Sequence, residues 1–128
     1  MPKSVTPAKQ AKALDVIATY LGPKMGHITP CGQCESCVAG LAYDWQCDNP
    51  APKPAPTGRD AAYNGEGPML SPEWDWPSSG PTPTILLEGG PGDWAIMAAG
   101  DPEVIEQMTA LGIFAEPYAS YALCLYPA

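Results

Sequence analysis

The chain has few basic residues. Six Lys and Arg residues stand against fourteen Asp and Glu residues, and the formal net charge of the 128-residue chain is −8 at pH 7. A surface of this sign repels the phosphates of nucleic acids and the headgroups of anionic membranes. Direct binding to DNA, RNA or a membrane is therefore not expected. The charge suits a basic protein partner, or simply solubility.

The chain also lacks long apolar runs. No stretch reaches the length that crosses a bilayer. The N-terminal segment does not resemble a secretory signal, because Gln10, Lys12 and Asp15 interrupt its apolar residues. We therefore expect a cytoplasmic protein. In that reducing compartment, clustered cysteines are more often metal ligands or redox groups than disulfides.

Histidine is scarce, which limits the catalytic chemistry. A nucleophilic triad would have to use His27, the single histidine, and no serine lies in a G-x-S-x-G turn. The glycines of "EGGPGD" do not form a phosphate-binding loop, and Glu88 and Asp93 on either side would repel phosphate. The sequence thus favours a protein that is not an enzyme.

Cysteine, by contrast, is concentrated. Four of the five cysteines fall in residues 31–47, beginning with "CGQCESC". Thiolates with two residues between them can turn inward on a tight loop and share one ion, and Gly32 permits the backbone conformation that this requires. The predicted ligands of one metal ion are Cys31, Cys34, Cys37 and Cys47. His27 is the substitute for the fourth ligand, and Cys124 is expected to be a buried thiol.

Three interpretations of the cluster compete. Structural Zn²⁺ is the first, because metal binding contributes directly to the folding of small domains that have little core. An iron–sulfur cluster is the second, since the spacing resembles the C-x2-C-x2-C run of bacterial ferredoxins. In that family three residues precede the next cysteine, whereas nine residues separate Cys47 from Cys37. Disulfides or a redox dithiol are the third, and the odd number of cysteines argues against a disulfide framework.

Two short stretches resemble zinc sites of known families. "TPCGQC" resembles the P-C-x-x-C half of zinc-dependent cytidine deaminases, which implies that Cys31 and Cys34 are zinc ligands. The glutamate that moves protons in that family has no counterpart before Cys31. "CGQCESCVAGLAY" is similar to the corner of the 7-cyano-7-deazaguanine synthase family in which four cysteines hold structural zinc. That family's nucleotide-binding loop is absent here, so the resemblance implies zinc and no particular activity.

The first two thirds of the chain predict one helix and much irregular structure. Thr6 and Pro7 begin an amphipathic helix over residues 7–21, which Gly22 and Pro23 end. Residues 23–47 form the cysteine-rich metal loop, with a short helical turn in "VAGLAYDW". Residues 48–83 are rich in proline and are expected to form a connector or an arm that wraps the domain. Within them, Trp74 and Trp76 are the predicted partner contact, or else pack onto the domain.

The last third predicts a β-hairpin–α–β unit over residues 84–126. "TILLE" and "DWAIMAA" predict two strands joined by a "GGPG" turn. A helix over 102–111 and the strand "YALCLY" are predicted to follow. If residues 94–99 and 120–126 flank that helix as a crossover unit, they are parallel neighbours. The whole chain, 1–128, is then one small α+β domain with the first helix packed on a sheet.

These features favour a non-enzymatic, zinc-stabilised module that contacts another protein. It could be an accessory subunit of a viral or bacterial assembly, or an acidic inhibitor of a basic host protein. The alternative is an iron–sulfur electron-transfer protein that uses the same cysteines. The third hypothesis is a zinc-dependent hydrolase or deaminase-like enzyme, which predicts three protein ligands and an open position on the ion.

Overall fold

The chain combines helices with antiparallel strands. A computed structural model describes residues 5–43, 46–74 and 82–128, and for residues 72–74 it describes the backbone alone. The helices are α1 (Pro7–Lys24), α2 (Glu35–Ala39), α3 (Arg59–Tyr63), α4 (Trp94–Gly100) and α5 (Pro102–Ala110). The strands are β1 (Ile28–Thr29), β2 (Ala51–Pro52), β3 (Met69–Trp74), β4 (Thr82–Leu86), β5 (Ile113–Ala119) and β6 (Ala122–Pro127).

The larger sheet has the strand order β3-β4-β6-β5, and all of its pairings are antiparallel. The helices α1, α4 and α5 contact this sheet and one another. A second, two-stranded sheet consists of β1 and β2. The predicted α+β class is therefore confirmed, with an N-terminal helix and C-terminal strands.

The core lies where α1, α4 and α5 meet the larger sheet. The side chains of Trp94, Ile17 and Leu21 are almost completely buried there against Ile85 and Leu123. Burial of large apolar side chains is the main source of stability for such a domain. Among the described residues, none of the buried members of this core cluster comes from residues 30–50, which contain the four clustered cysteines.

Helix α1 begins as predicted and continues one turn further. Thr6 is the N-cap, and its hydroxyl accepts a hydrogen bond from the Lys9 amide at 3.3 Å. The helix runs to Lys24, so the prediction that Gly22 and Pro23 end it was wrong. Gly22 serves another purpose, because a Cβ at this position would overlap the Lys53 carbonyl oxygen. The glycine thus allows another segment to lie directly on the helix.

That segment belongs to the proline-rich residues 48–83. Its Ala55 amide donates to the Ala18 carbonyl of α1 at 2.9 Å, and the Ala55 side chain joins the core. The same stretch of sequence also contains β2, α3 and β3. Proline explains why residues 53–56 can lie along α1. Because proline has no amide hydrogen and favours an extended backbone, the segment can cross a helix without hydrogen bonds to a neighbouring strand.

The stretch "DWAIMAA" is a helix and not a strand. In α4 the buried residues Trp94, Ala95 and Ala98 follow helical spacing, and the Trp94 Nε1 donates to the Leu87 carbonyl at 2.8 Å. The predicted hairpin between residues 84–88 and 93–99 is therefore wrong, as is the parallel pairing of 94–99 with 120–126. Instead, β4 pairs with β3 and β6, both in the antiparallel direction.

Strand β5 was not predicted. It pairs antiparallel with β6 through a tight connection and forms one edge of the larger sheet. Pro117 lies within it, and the register shifts between Pro117 and Ala119. A proline cannot donate to a neighbouring strand and is tolerated at a sheet edge, which is where this strand lies. The last two strands therefore form the C-terminal hairpin.

The predicted helix over 102–111 is confirmed as α5, and its cap gives a test. The Asp101 Oδ1 accepts from the amides of Glu103 and Val104 at 3.0 and 3.1 Å. Asp101→Ala should lower the free energy of unfolding by about 1 kcal/mol, as measured by urea denaturation. Asp93→Ala is the control, because Asp93 precedes α4 without making a side-chain cap hydrogen bond. Equal losses for both variants would contradict the capping explanation.

Candidate metal centre

The four clustered cysteines lie on a loop whose two ends are paired. The loop, residues 30–50, leaves β1 and returns through β2, with Thr29 opposite Ala51 and Ile28 opposite Pro52. The Lys53 amide extends this pairing by donating to the His27 carbonyl at 3.2 Å. Adjacent strands are about 5 Å apart, so the first and last residues of the loop are held close together.

The loop brings the four sulfur atoms into one group. Among the described residues, the Sγ atoms of the predicted ligands all lie within 4.8 Å of one another; the residues are Cys31, Cys34, Cys37 and Cys47. The Sγ atoms of Cys31 and Cys37 are 3.8 Å apart. Those of Cys34 and Cys47 are 3.9 Å apart. All five cysteines of the chain are free thiols, so these contacts are not disulfides.

Backbone amides surround the sulfur atoms. The Gln33 and Cys34 amides donate to the Cys31 Sγ at 3.4 and 3.3 Å. Gly32 has a φ of +74°, a left-handed conformation that costs free energy for any residue with a side chain. The glycine after Cys31 thus has the role that the sequence predicts. The Cys37 amide donates to the Cys34 Sγ at 3.4 Å, which makes Cys34 the N-cap of α2. This cap has no sequence signal, because cysteine is not a common capping residue.

These hydrogen bonds differentiate the thiols. The amides of Gln33 and Cys34 lower the pKa of Cys31 to about 6. The pKa of Cys34 is also lowered, first by the Asp48 amide and then by the Cys37 amide. Desolvation and the hydrogen bond with Cys34 raise the pKa of Cys37 to about 12. Cys31 can thus be a thiolate near neutral pH, whereas ionisation of Cys37 requires a cation among the sulfurs.

The described part of the loop has almost no apolar core. Cys47 is the one buried residue among the described residues of 31–47, and α2 buries none. Val38 is 75 % exposed, although it is a large apolar residue in the middle of the segment. Burial of the described apolar side chains therefore contributes little to the order of this loop. Its organisation depends on the cysteine group and on the paired strands at its base.

The donor set and its spacing fit one tetrahedral ion. With a Zn–S distance of about 2.3 Å, the sulfurs of a tetrahedral site are about 3.8 Å apart. The two sulfur pairs at 3.8 and 3.9 Å match this spacing. The other sulfur pairs are at most 4.8 Å apart, so binding one ion would shorten their separations by about 1 Å or less. Four cysteines could therefore hold a metal ion here with little rearrangement.

The other residues singled out in the sequence lie elsewhere. His27 is not in the sulfur group; its Nε2 donates to the Glu66 carbonyl at 2.9 Å. Cys124 is buried in β6, where it accepts from the Thr84 hydroxyl at 3.6 Å. The backbone of Trp74 pairs with Thr82 at the end of β3, while Trp76 lies outside the described residues. The partner contact at the two tryptophans remains a prediction.

No family model, curated protein or solved structure matches the chain. Among the described helices, none is long and apolar enough to cross a membrane. The chemistry of the chain's own residues is therefore the basis on which a function is assigned.

Proposed function

We propose that the protein is a non-enzymatic interaction module whose loop is held by one Zn²⁺ ion bound to four thiolates. The observation that carries this proposal is the grouping of the four Sγ atoms within 4.8 Å in a loop where Cys47 is the one buried residue among those described in 31–47. In small structural zinc sites, binding of the metal supplies the free energy that a hydrophobic core supplies elsewhere.

The spacing favours a single ion over an iron–sulfur cluster. A cluster distributes its four cysteines over two or four iron atoms, so thiolates on different irons lie farther apart than thiolates on one ion. Here the two sulfur pairs are separated by 3.8 and 3.9 Å, and the whole group is compact. The cytoplasmic location that we propose keeps such thiols reduced and available to the metal.

The ligand set also favours a structural role over catalysis. A catalytic zinc ion keeps one position open for water or substrate, whereas four thiolates complete a tetrahedron. Among the described residues, no carboxylate or imidazole that could transfer protons belongs to the sulfur group. A deaminase needs a glutamate beside the ion, and this chain has none before Cys31. We therefore do not assign a hydrolase or deaminase activity.

The charge and the exposed apolar residues support interaction with a protein. A net charge of −8 favours a basic partner, which an accessory subunit of an assembly or an acidic inhibitor would have. Exposed apolar residues that cluster together can mark a contact surface, and Ile105 and Phe114, which are both exposed, line the same pocket.

Metal analysis tests the proposal directly. Protein purified anaerobically and without chelator should contain one zinc per chain and show no visible absorption, because Zn²⁺ has a filled d shell. Iron together with a broad visible band would instead support the electron-transfer alternative. If the protein contained no metal and took up no added Zn²⁺, the proposal of a zinc-bound loop would be overturned. The role of the four free thiols would then need another explanation.

A further inference from the structure

The charge of the chain is divided between its two halves. All six basic residues precede residue 60, whereas residues 60–128 contain ten of the fourteen acidic residues. The second half includes α4, α5, β5 and β6, none of which carries Lys or Arg. Their acidic residues are Glu103 and Glu106 in α5 and Glu116 in β5. A region charged in this way attracts a basic partner and repels a second copy of itself.

An apolar groove lies in this acidic half, between α4, α5 and β5. It has a volume of about 270 Å³. Its floor is formed by buried residues, including Val104, Met108 and Ile113. Its walls include Ile105 and Phe114, which are 47 % and 51 % exposed. A concave surface with a buried apolar floor and half-exposed apolar walls can receive an apolar side chain from outside.

The size of the groove suits an anchor side chain better than a free metabolite. Pockets for drug-sized ligands have volumes of about 300–1,000 Å³ and usually contain several convergent polar groups. The groove of 270 Å³ is smaller than this, and Thr109 supplies the one polar side chain of its lining. Interfaces, in contrast, often depend on one large residue inserted into an apolar pocket that is surrounded by polar contacts.

Acidic groups flank the groove on the elements that form it. Glu103 and Glu106 of α5 and Glu116 of β5 are exposed. One basic group also approaches these elements. The Nζ of Lys9 in α1 lies 3.5 Å from the position of a Cβ at Gly112, which follows α5. The partner that complements such a groove carries a large apolar residue between Lys or Arg residues.

We propose that this groove binds a short basic amphipathic segment of a partner protein, which inserts one large apolar side chain between Ile105 and Phe114. The proposal rests on the proposed function, because it names the contact surface and the chemistry of the partner for the interaction module. A second copy is disfavoured by its like charge. Pairing along the edge strand β5 is disfavoured by Glu116 and Pro117.

The test uses a fluorescent peptide made of leucine and lysine with helical apolar spacing, titrated with the zinc-loaded protein by anisotropy. A peptide with alanine in place of leucine has the same charge without the anchor. The leucine peptide should bind at least about tenfold more tightly than the alanine peptide, because anchor residues supply most of the binding energy. Raising the salt from about 0.05 M to about 0.5 M should weaken the binding of both peptides.

Variants of the groove make the test specific. Ile105→Ser and Phe114→Ser should each weaken binding of the leucine peptide about tenfold. Met97→Ser is the matched control, since Met97 is 53 % exposed on α4 but does not line the groove, and its effect should stay below about twofold. Circular dichroism checks that each variant is folded. Equal binding of the two peptides, or equal losses in all three variants, would overturn the proposal.

Two further outcomes separate this inference from the proposed function. A zinc-loaded protein that does not distinguish the peptides overturns the groove and leaves the zinc loop intact. A protein that binds no zinc but distinguishes the peptides overturns the zinc loop and supports the groove. Sedimentation of the protein alone tests whether a second copy of the chain occupies the groove. A dimer that the Phe114→Ser substitution dissociates would assign the groove to that copy and overturn the proposal of a basic segment.

Discussion

Replacing Cys47 by alanine is expected to abolish metal retention. Its Sγ lies 3.9 Å from that of Cys34 and accepts a hydrogen bond from the Cys31 amide at 3.3 Å, so it connects the end of the loop to its beginning. With three thiolates left, the ion has an open position, and the part of the loop that follows Cys37 is no longer attached to it. Zinc per chain should fall from one to well below one after brief dialysis against a weak chelator.

The damage should remain local. No described residue of the loop 30–50 belongs to the core cluster, so the far-UV spectrum should keep its α and β content. Limited proteolysis should instead cut within residues 31–47, since unanchored loops are preferred sites of cleavage. Cys124→Ala is the control, because this thiol is buried in β6, away from the sulfur group, and should keep its metal. Retention of a full equivalent of zinc by Cys47→Ala would show that Cys47 is not a ligand.

Gly22→Ala is expected to destabilise the protein by about 3 kcal/mol, the upper part of the usual range for overpacking. A methyl group at Gly22 would overlap the Lys53 carbonyl oxygen and approach the Pro54 Cα to 3.0 Å. These atoms belong to backbone and cannot rotate away, so residues 53–56 would have to leave α1. The hydrogen bond from the Ala55 amide to the Ala18 carbonyl would be lost with them. Urea denaturation gives the change in free energy of unfolding.

Gly100→Ala is the matched control for this substitution. Gly100 is also a helical glycine, at the end of α4, but apart from the adjoining backbone of its own helix and its chain neighbours no described heavy atom lies within 4 Å of its Cβ position. Alanine has the higher helix propensity, by up to about 1 kcal/mol, so this variant should be as stable as the parent or slightly more so. If both variants were equally stable, the close approach of residues 53–56 to α1 would not exist in solution.

The sulfur group could be predicted from the sequence because its geometry is mostly local. Two residues between successive cysteines place Cys31, Cys34 and Cys37 on one tight turn, whatever the rest of the fold does. Cys47 was a choice between two candidates, and the structure brings it to the group while His27 bonds to Glu66. That choice followed from the preference of such sites for thiolates and needed no tertiary information.

The order of the C-terminal elements could not be predicted in the same way. "DWAIMAA" is a short apolar run, and such a run fits a buried strand as well as a buried helix. It becomes a helix here because Trp94, Ala95 and Ala98 all face the core, and only helical spacing allows that. Strand β5 was missed because Pro117 is unfavourable in most strands and acceptable only at an edge. Edge position is a property of the assembled sheet and not of the segment.

The paired strands β1 and β2 have a consequence for how this loop could be transferred to other proteins. They fix the two ends of residues 30–50 side by side, as the two arms of any β-hairpin are fixed. A designer could therefore exchange the loop for an ordinary two-residue turn, or graft it onto the end of a hairpin in a different scaffold, without altering the path of the host chain. The cysteine loop can in this sense be moved from one protein to another as a single unit.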